Sequence, residues 1–158
     1  LATGLRVGDV LNLRTEQVQR QRFTVREAKT GKTRRVYIPK DLQLRLLSQA
    51  GRLYCFEGRN DWRRPRTRQA VWKDCKRVAR FFQSSGAVPK KASVSPHSAR
   101  KVYAVGEYRR TGDLDAVRRK LNHDPAHVAT TLVYALSDQL TPEELKSMAP
   151  AKRRGRKE

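Results

Sequence analysis

Apolar and polar positions alternate in two short stretches of the chain and recur at helical spacing in several others. Helical spacing at Val7, Val10 and Leu11 predicts a short helix from Val7 to Leu13. Residues 23–28 and 35–38 alternate as strands do, and the glycine-containing segment 29–33 between them is typical of a hairpin loop. The first forty residues therefore predict a helix followed by an antiparallel β-hairpin.

The remaining pattern is mostly helical. It predicts a helix over 41–50 that Asp41 caps, a short strand over 53–56, a polar loop over 57–68 and a helix that starts at Thr67 and ends near Phe82. The inward face of that last helix is predicted to carry Val71, Cys75, Val78 and Phe82. Further helices are predicted at about 97–110, 113–121, 125–136 and 142–148. This order predicts an α+β fold, mainly α, with a small antiparallel β-sheet.

Basic residues greatly outnumber acidic residues in the chain. The 158 residues include 36 Lys and Arg against 15 Asp and Glu, a formal charge of +21, which is typical of proteins that bind polyanions. Cys55 and Cys75 have no metal-ligand spacing, so we expect free thiols in a reducing compartment. No stretch resembles a signal peptide or a membrane span, so we expect a soluble, cytoplasmic protein.

Candidate chemistry lies in four short segments. Arg6 and Arg100 offer guanidinium groups, which bind phosphate oxygens in a planar fork. His97 precedes Arg100 by three residues, so both side chains share one helix face. His123 and Tyr134 follow, and a tyrosine can attack phosphorus to form a covalent intermediate. These residue types together suit attack on a phosphodiester.

The same segments resemble the boxes of the tyrosine recombinase (phage integrase) family. Residues 2–9 resemble its first arginine box, residues 95–100 its His-x-x-Arg box, and residues 121–134 its last histidine and nucleophile. The resemblance implies a catalytic domain of the DNA breaking-rejoining type over 1–148, followed by a basic, disordered tail over 149–158. Because the chain starts at Leu1, we also expect an N-terminal DNA-clamping domain beyond the given sequence. Asn122 departs from the glycine usual before the last histidine, although asparagine tolerates the left-handed conformation of a helix end.

The resemblance also implies a role for each residue. Arg6, Arg100 and His123 would contact the scissile phosphate, and Tyr134 would be the nucleophile. His97 would take a proton from, or hydrogen-bond to, the phosphate and the nucleophile. Lys29 would protonate the leaving 5′-oxygen, with Lys32 as the alternative general acid. Asp9 would support the site, or would only favour the helix dipole as a first-turn acid.

Two further residue assignments complete the predicted site. His127, the competitor of His123, is interpreted as a surface residue because it lacks the Leu-x-His context. Phosphate contacts without base specificity are predicted for Lys32, Arg34, Arg59, Arg63, Arg64, Arg66 and Arg68.

The function implied is site-specific recombination by an integrase of a phage or other mobile element, with a 3′-phosphotyrosyl intermediate and neither cofactor nor metal. A type IB topoisomerase-like enzyme and a non-catalytic, DNA-binding integrase remnant are the alternatives. We expect double-stranded DNA as partner, a monomer in free solution and a homotetramer on DNA, in the bacterial nucleoid or a phage-infected cell. We also expect Tyr134 to approach the arginines only on DNA, when the segment 140–148 docks on a neighbouring protomer.

Overall fold

The computed structural model describes residues 2–125 and 128–136. The chain divides into two compact units, residues 1–100 and the residues from 101 onward. The predictions for His127, for the helix at 142–148 and for the tail over 149–158 lie outside the described residues.

The first unit begins with a helix, a short second helix and a hairpin. Helix α1 spans Val7–Leu11 and α2 spans Thr15–Val18. Strands β1, Arg22–Arg26, and β2, Thr33–Tyr37, pair antiparallel. The predicted first helix is confirmed but ends two residues early, because the Asn12 side chain donates to the Gly8 carbonyl at 2.9 Å. Helix α2 was not predicted by the apolar pattern.

Two longer helices follow in this unit. Helix α3 spans Lys40–Gln49, and α4 spans Arg68–Ser84. The prediction that Asp41 caps α3 is wrong, because Pro39 occupies the N-cap and Asp41 lies in the first turn. Thr67 caps α4 as predicted, and its hydroxyl accepts from the Ala70 amide at 3.2 Å.

Two predictions near these helices need correction. The stretch 53–56 contributes only an isolated bridge between Tyr54 and Arg14 rather than a strand. The predicted inward face of α4 is confirmed only in part. Val71 and Cys75 are half-buried, but Val78 and Phe82 are exposed, and Ala79 is the residue of the helix that is buried. The apolar residues of α4 form one broad stripe, and part of that stripe, including Trp72 and Phe81, is exposed, so their spacing alone did not identify the packed face.

The core of the first unit lies between the hairpin and the N-terminal helices. Alternate strand residues turn inward, so Val25 and Val36 are buried while their neighbours in the strands are more exposed. Leu42, Leu46 and Leu47 of α3 pack against this cluster, as their spacing predicted. The buried members are Leu5, Leu13, Val18, Val25, Val36, Ile38 and Cys55.

The second unit is helical. Helix α5 spans Pro96–Thr111 and crosses the boundary between the units, α6 spans Leu114–Leu121, and α7 spans Val128–Ala135. Its core is built from Ala104, Val117, Leu121 and Ala135, with Tyr103 and Tyr108 packed against them. These two tyrosines therefore have a structural role in this unit. Among the described residues, no helix is long and apolar enough to cross a membrane.

Candidate active site

The first half of the site is built around the turn that precedes α1. Gly4 has a φ of 60°, a left-handed conformation that favours glycine. The buried Arg100 side chain donates from Nη1 to the Gly4 carbonyl at 2.5 Å. Arg6, at the N-cap of α1, follows Gly4 by two residues. One turn of backbone therefore links the two predicted phosphate-binding arginines.

Arg6 is held by a carboxylate that the sequence analysis did not single out. Glu27, directly after β1, is fully buried and forms an ion pair with Arg6 Nη1. The Arg34 guanidinium lies 3.9 Å from the same carboxylate, and the Thr30 hydroxyl donates to it at 3.0 Å. Glu27 is 21 residues from Arg6 in the chain, so no spacing rule could have paired them.

Asp9 connects α1 to the hairpin. Its carboxylate is 3% exposed and accepts from the Ala28 amide at 3.0 Å, while the residue also lies in the first turn of α1. This hydrogen bond attaches the first turn of α1 to the start of the hairpin loop. The structure thus joins Arg6 and the base of the Lys29 loop through two carboxylates.

The predicted general acids lie in that loop. Residues 27–32 connect the strands, and the Glu27 amide donates to the Lys32 carbonyl at 2.9 Å. Gly31 adopts a φ of 68°, which the loop requires. Both Lys29 and Lys32 are exposed, so neither side chain is buried in the core of this unit. The choice between them stays open.

The remaining predicted phosphate ligands of this unit differ in their surroundings. His97 is exposed on the first turn of α5, three residues before Arg100. Arg34 is half-buried, pairs with Glu27 and donates to the Thr3 carbonyl, so it is engaged within the fold. Arg66 pairs with Asp74, and Arg64 lies 3.5 Å from Asp61. The other four of that predicted set, Lys32, Arg59, Arg63 and Arg68, are exposed.

A cationic groove lies between α4 and the segment that follows it. The cavity has a volume of about 770 Å³, and no acidic residue lines it within the described part of the chain. Gln83 shapes one wall by donating to the Ala92 carbonyl at 3.0 Å. The cationic lining is Lys73, Lys76, Arg77, Arg80, Lys90 and Lys91. The sequence analysis missed this groove, although the density of Lys and Arg in 73–91 was a visible signal.

The second unit brings together the last histidine and the tyrosine. The His123 and Tyr134 rings meet edge to face, with centroids 5.5 Å apart and planes at 82°. His123 Nδ1 lies 3.0 Å from the hydroxyl of the buried Thr131, which the sequence analysis gave no role. Asn122 ends α6 at φ 53° and ψ 38°, the left-handed cap predicted for it. This cap turns the chain so that the His123 amide donates to the Arg118 carbonyl at 3.0 Å.

The described residues also bear on metals and thiols. No three His, Cys, Asp or Glu side chains cluster as a metal site would within 2–125 and 128–136. Cys55 and Cys75 are both free, and burial raises the pKa of the Cys55 thiol to about 11.

Sequence comparison decides the family. The pattern of the phage integrase family matches residues 1–140. The chain belongs to the phage integrase family. No curated protein matches the sequence of this phage integrase family member.

Solved structures agree with this assignment. The chain is similar to XerA recombinase, with 25% identity and a TM-score of 0.64, over 92% of this chain and 52% of that one. It is also similar in fold to the Tn1549 transposon integrase in complex with circular intermediate DNA, at 16% identity and a TM-score of 0.67, over 92% and 55% of the two chains. XerH site-specific recombinase bound to palindromic difH substrate matches at 17% identity and a TM-score of 0.66, over 92% and 41%. The chain thus spans about half the length of these proteins, and the α+β, mainly helical fold predicted from the sequence is confirmed.

Proposed function

We propose that this phage integrase family member is a tyrosine recombinase that cuts and rejoins double-stranded DNA for a phage or other mobile element. The observation that carries the proposal is the turn at Gly4, which supports Arg6 and receives the buried Arg100. Two guanidinium groups fixed to one turn suit the two non-bridging oxygens of a phosphodiester. Two similar structures, the Tn1549 transposon integrase in complex with circular intermediate DNA and XerH bound to difH substrate, support DNA as the partner.

In the proposed reaction, the Tyr134 oxygen attacks the scissile phosphorus, and the proton of its hydroxyl passes to His97. The bond from phosphorus to the 5′-oxygen breaks, and that oxygen takes a proton from Lys29. The product is a 3′-phosphotyrosyl link and a free 5′-hydroxyl. Attack by the 5′-hydroxyl of a partner strand reverses these steps and rejoins the DNA, so the phosphodiester bond energy is kept and no nucleotide is consumed.

The arginines and histidines would stabilise the charge that builds on the phosphate. Arg6 and Arg100 would bind the non-bridging oxygens, and His97 and His123 would donate hydrogen bonds to them. Thr131 would fix the orientation of the His123 ring through its hydroxyl at 3.0 Å. This side chain therefore joins the proposed site as a positioning residue.

Covalent trapping tests this reaction. Nicked suicide DNA, which loses its 5′-hydroxyl fragment after cleavage, should trap wild-type protein in a covalent complex, and Tyr134→Phe should give none. Tyr108→Phe is the matched control, because Tyr108 packs in the core of the same unit. A covalent complex that persists in Tyr134→Phe contradicts the proposal. Relaxation of supercoiled DNA without exchange between duplexes would assign the topoisomerase-type alternative instead.

A sulfur substitution tests the general acid. A DNA strand with sulfur in place of the 5′-bridging oxygen has a leaving group that needs no proton. The Lys29→Ala variant should cleave ordinary DNA at least about 100-fold more slowly than wild type. It should cleave the sulfur-containing strand at the wild-type rate. If the sulfur-containing strand restores cleavage by Lys32→Ala but not by Lys29→Ala, Lys32 is the general acid.

The cationic groove between α4 and the segment after it would contact DNA phosphates without base specificity, in addition to the contacts proposed for the loop over 57–68. Each phosphate neutralised adds a slope of roughly −0.9 to the dependence of log affinity on log salt. Replacing Lys90 and Lys91 by alanine should reduce the slope by about 1.8, the sum for two contacts. Arg45→Ala, on the exposed face of α3, is the control. An unchanged slope in the double variant contradicts a role of the groove.

We also propose a monomer in free solution and a homotetramer on DNA. Recombination joins two duplexes and needs four strand cleavages, whereas the charge of +21 opposes self-association until DNA neutralises it. Light scattering with and without DNA tests both states, and a stable tetramer in the absence of DNA contradicts the proposal.

A further inference from the structure

We propose that Glu27 is a positioning residue of this enzyme: its buried carboxylate holds the Arg6 guanidinium in the orientation that binds the scissile phosphate. The inference rests on the proposed function, because Arg6 is a phosphate ligand only in that reaction. It adds a residue to the site that carries no role in the sequence analysis.

Burial makes the pairing asymmetric. The Glu27 side chain is 0% exposed, whereas the Arg6 side chain keeps 20% of its surface open. A buried carboxylate is costly without partners, and this one has Arg6, Arg34 and Thr30 around it. The carboxylate is therefore the fixed end of the pair, and the guanidinium is the end that reaches toward solvent.

The geometry of arginine lets this pairing orient the side chain. A guanidinium is planar and carries five N–H donors, so a partner that holds one nitrogen restricts rotation of the group and limits the directions in which the other donors point. Glu27 bonds Nη1 of Arg6. Among the described residues Glu27 is the polar partner of this side chain, which leaves the other donor edge available to a phosphate.

Glu27 also closes the loop that carries Lys29. Its carbonyl accepts from the Gly31 amide at 2.8 Å, and its own amide donates to Lys32. The carboxylate could thus act on the reaction through Arg6 or through the placement of Lys29. Two modified DNA substrates distinguish these routes. One removes the need for an arginine at the phosphate, and the other removes the need for a general acid.

The experiment compares Glu27→Gln with wild type on three DNA substrates. The first has an ordinary scissile phosphate. The second has a methylphosphonate, which removes the negative charge that an arginine stabilises. The third has sulfur at the 5′-bridging position, which removes the need for a general acid. Glu57→Gln is the matched control, because Glu57 is a half-buried glutamate that accepts from the Leu53 amide at 2.9 Å.

Glu27→Gln should cut ordinary DNA roughly 10- to 100-fold more slowly than wild type, as expected for the loss of one charge-assisted hydrogen bond. The loss should shrink to less than about 3-fold on methylphosphonate and stay unchanged on the sulfur substrate. Glu57→Gln should match wild type on all three. Rescue by sulfur, an equal loss on all three substrates, or no loss overturns the proposal.

A second measurement does not depend on cleavage. Nitrogen NMR of the DNA-free protein should show slow rotation of the Arg6 guanidinium in wild type and fast rotation in Glu27→Gln, with the thermal unfolding curves confirming that both are folded. Fast rotation in wild type overturns the pairing. If wild-type protein forms no covalent complex with DNA, the proposed function is wrong. The role of Glu27 depends on that function, so it is then wrong as well. A normal wild type with an unaffected Glu27→Gln contradicts the inference alone.

Discussion

Replacing Asn122 by glycine should stabilise the protein. Asn122 is the only non-glycine residue with positive φ among the described residues, at 53°, and it ends α6 directly before His123. Its side-chain amide Nδ2 is buried, and it has no hydrogen-bond partner within the part of the chain that the structure describes. Two unfavourable contributions therefore meet at one position.

The magnitude follows from three terms. A left-handed backbone costs an ordinary L-residue about 1–2 kcal/mol, less for asparagine and almost nothing for glycine. A buried, unpaired amide costs about 1–3 kcal/mol, which the change removes. Glycine in turn lowers the stability by about 0.5–1 kcal/mol, because the unfolded chain then has more conformational freedom to lose on folding. The net expectation is a gain of about 1 kcal/mol, or about 2–4 °C in Tm for a chain of this size.

Urea and thermal unfolding of Asn122→Gly and wild type measure this gain. Gly112→Ala is the opposite control, because Gly112 has a φ of 66° and open space where a Cβ would lie. It should lose about 1–2 kcal/mol through backbone strain alone. If Asn122→Gly is less stable than wild type while Gly112→Ala behaves as expected, the Asn122 amide contributes a favourable interaction and the reasoning is refuted.

Three further predictions concern single side chains. Because burial raises the pKa of Cys55 to about 11, iodoacetamide should modify Cys75 in native protein and both cysteines only after unfolding; early modification of Cys55 contradicts this. Burial opposes the charge of Glu107, but hydrogen bonds from Lys120 and Arg110 outweigh it and lower the pKa of Glu107. This carboxylate therefore stabilises the folded state above its unfolded pKa, and the stabilisation is lost as the pH falls below about 4. In Glu107→Gln, the free energy of unfolding should fall less steeply with decreasing pH than in wild type. An unchanged dependence on pH contradicts this prediction. Thr67→Ala should cost about 1 kcal/mol in urea unfolding because it removes the N-cap of α4, and no loss contradicts that role.

The sequence predicted the parts of the fold that depend on local rules. Alternation located the hairpin, and helical spacing put His97 and Arg100 in one helix. Asn122 was predicted to adopt a left-handed cap, and its φ of 53° confirms it. Each of these features depends on residues within a few positions of one another.

Features that depend on distant partners were not predicted. The role of Glu27 comes from Arg6, 21 residues earlier, and a glutamate at the end of a strand has no local signal of burial. The packed face of α4 was predicted only in part, because Val78 and Phe82 are apolar yet exposed, while the small Ala79 is buried. The partner surface determines which part of a broad apolar stripe packs against the core, so the spacing of apolar residues leaves that choice open.

The DNA-linked residue is the most direct test of the central claim. Wild-type protein is trapped on nicked suicide DNA, digested with protease and nuclease, and the peptide that carries a nucleotide is sequenced by mass spectrometry. The account predicts one modified residue, Tyr134, joined through a 3′-phosphate to the nucleotide at the cleavage site. Linkage to Tyr103, Tyr108 or any other residue, or attachment through a 5′-phosphate, would contradict it.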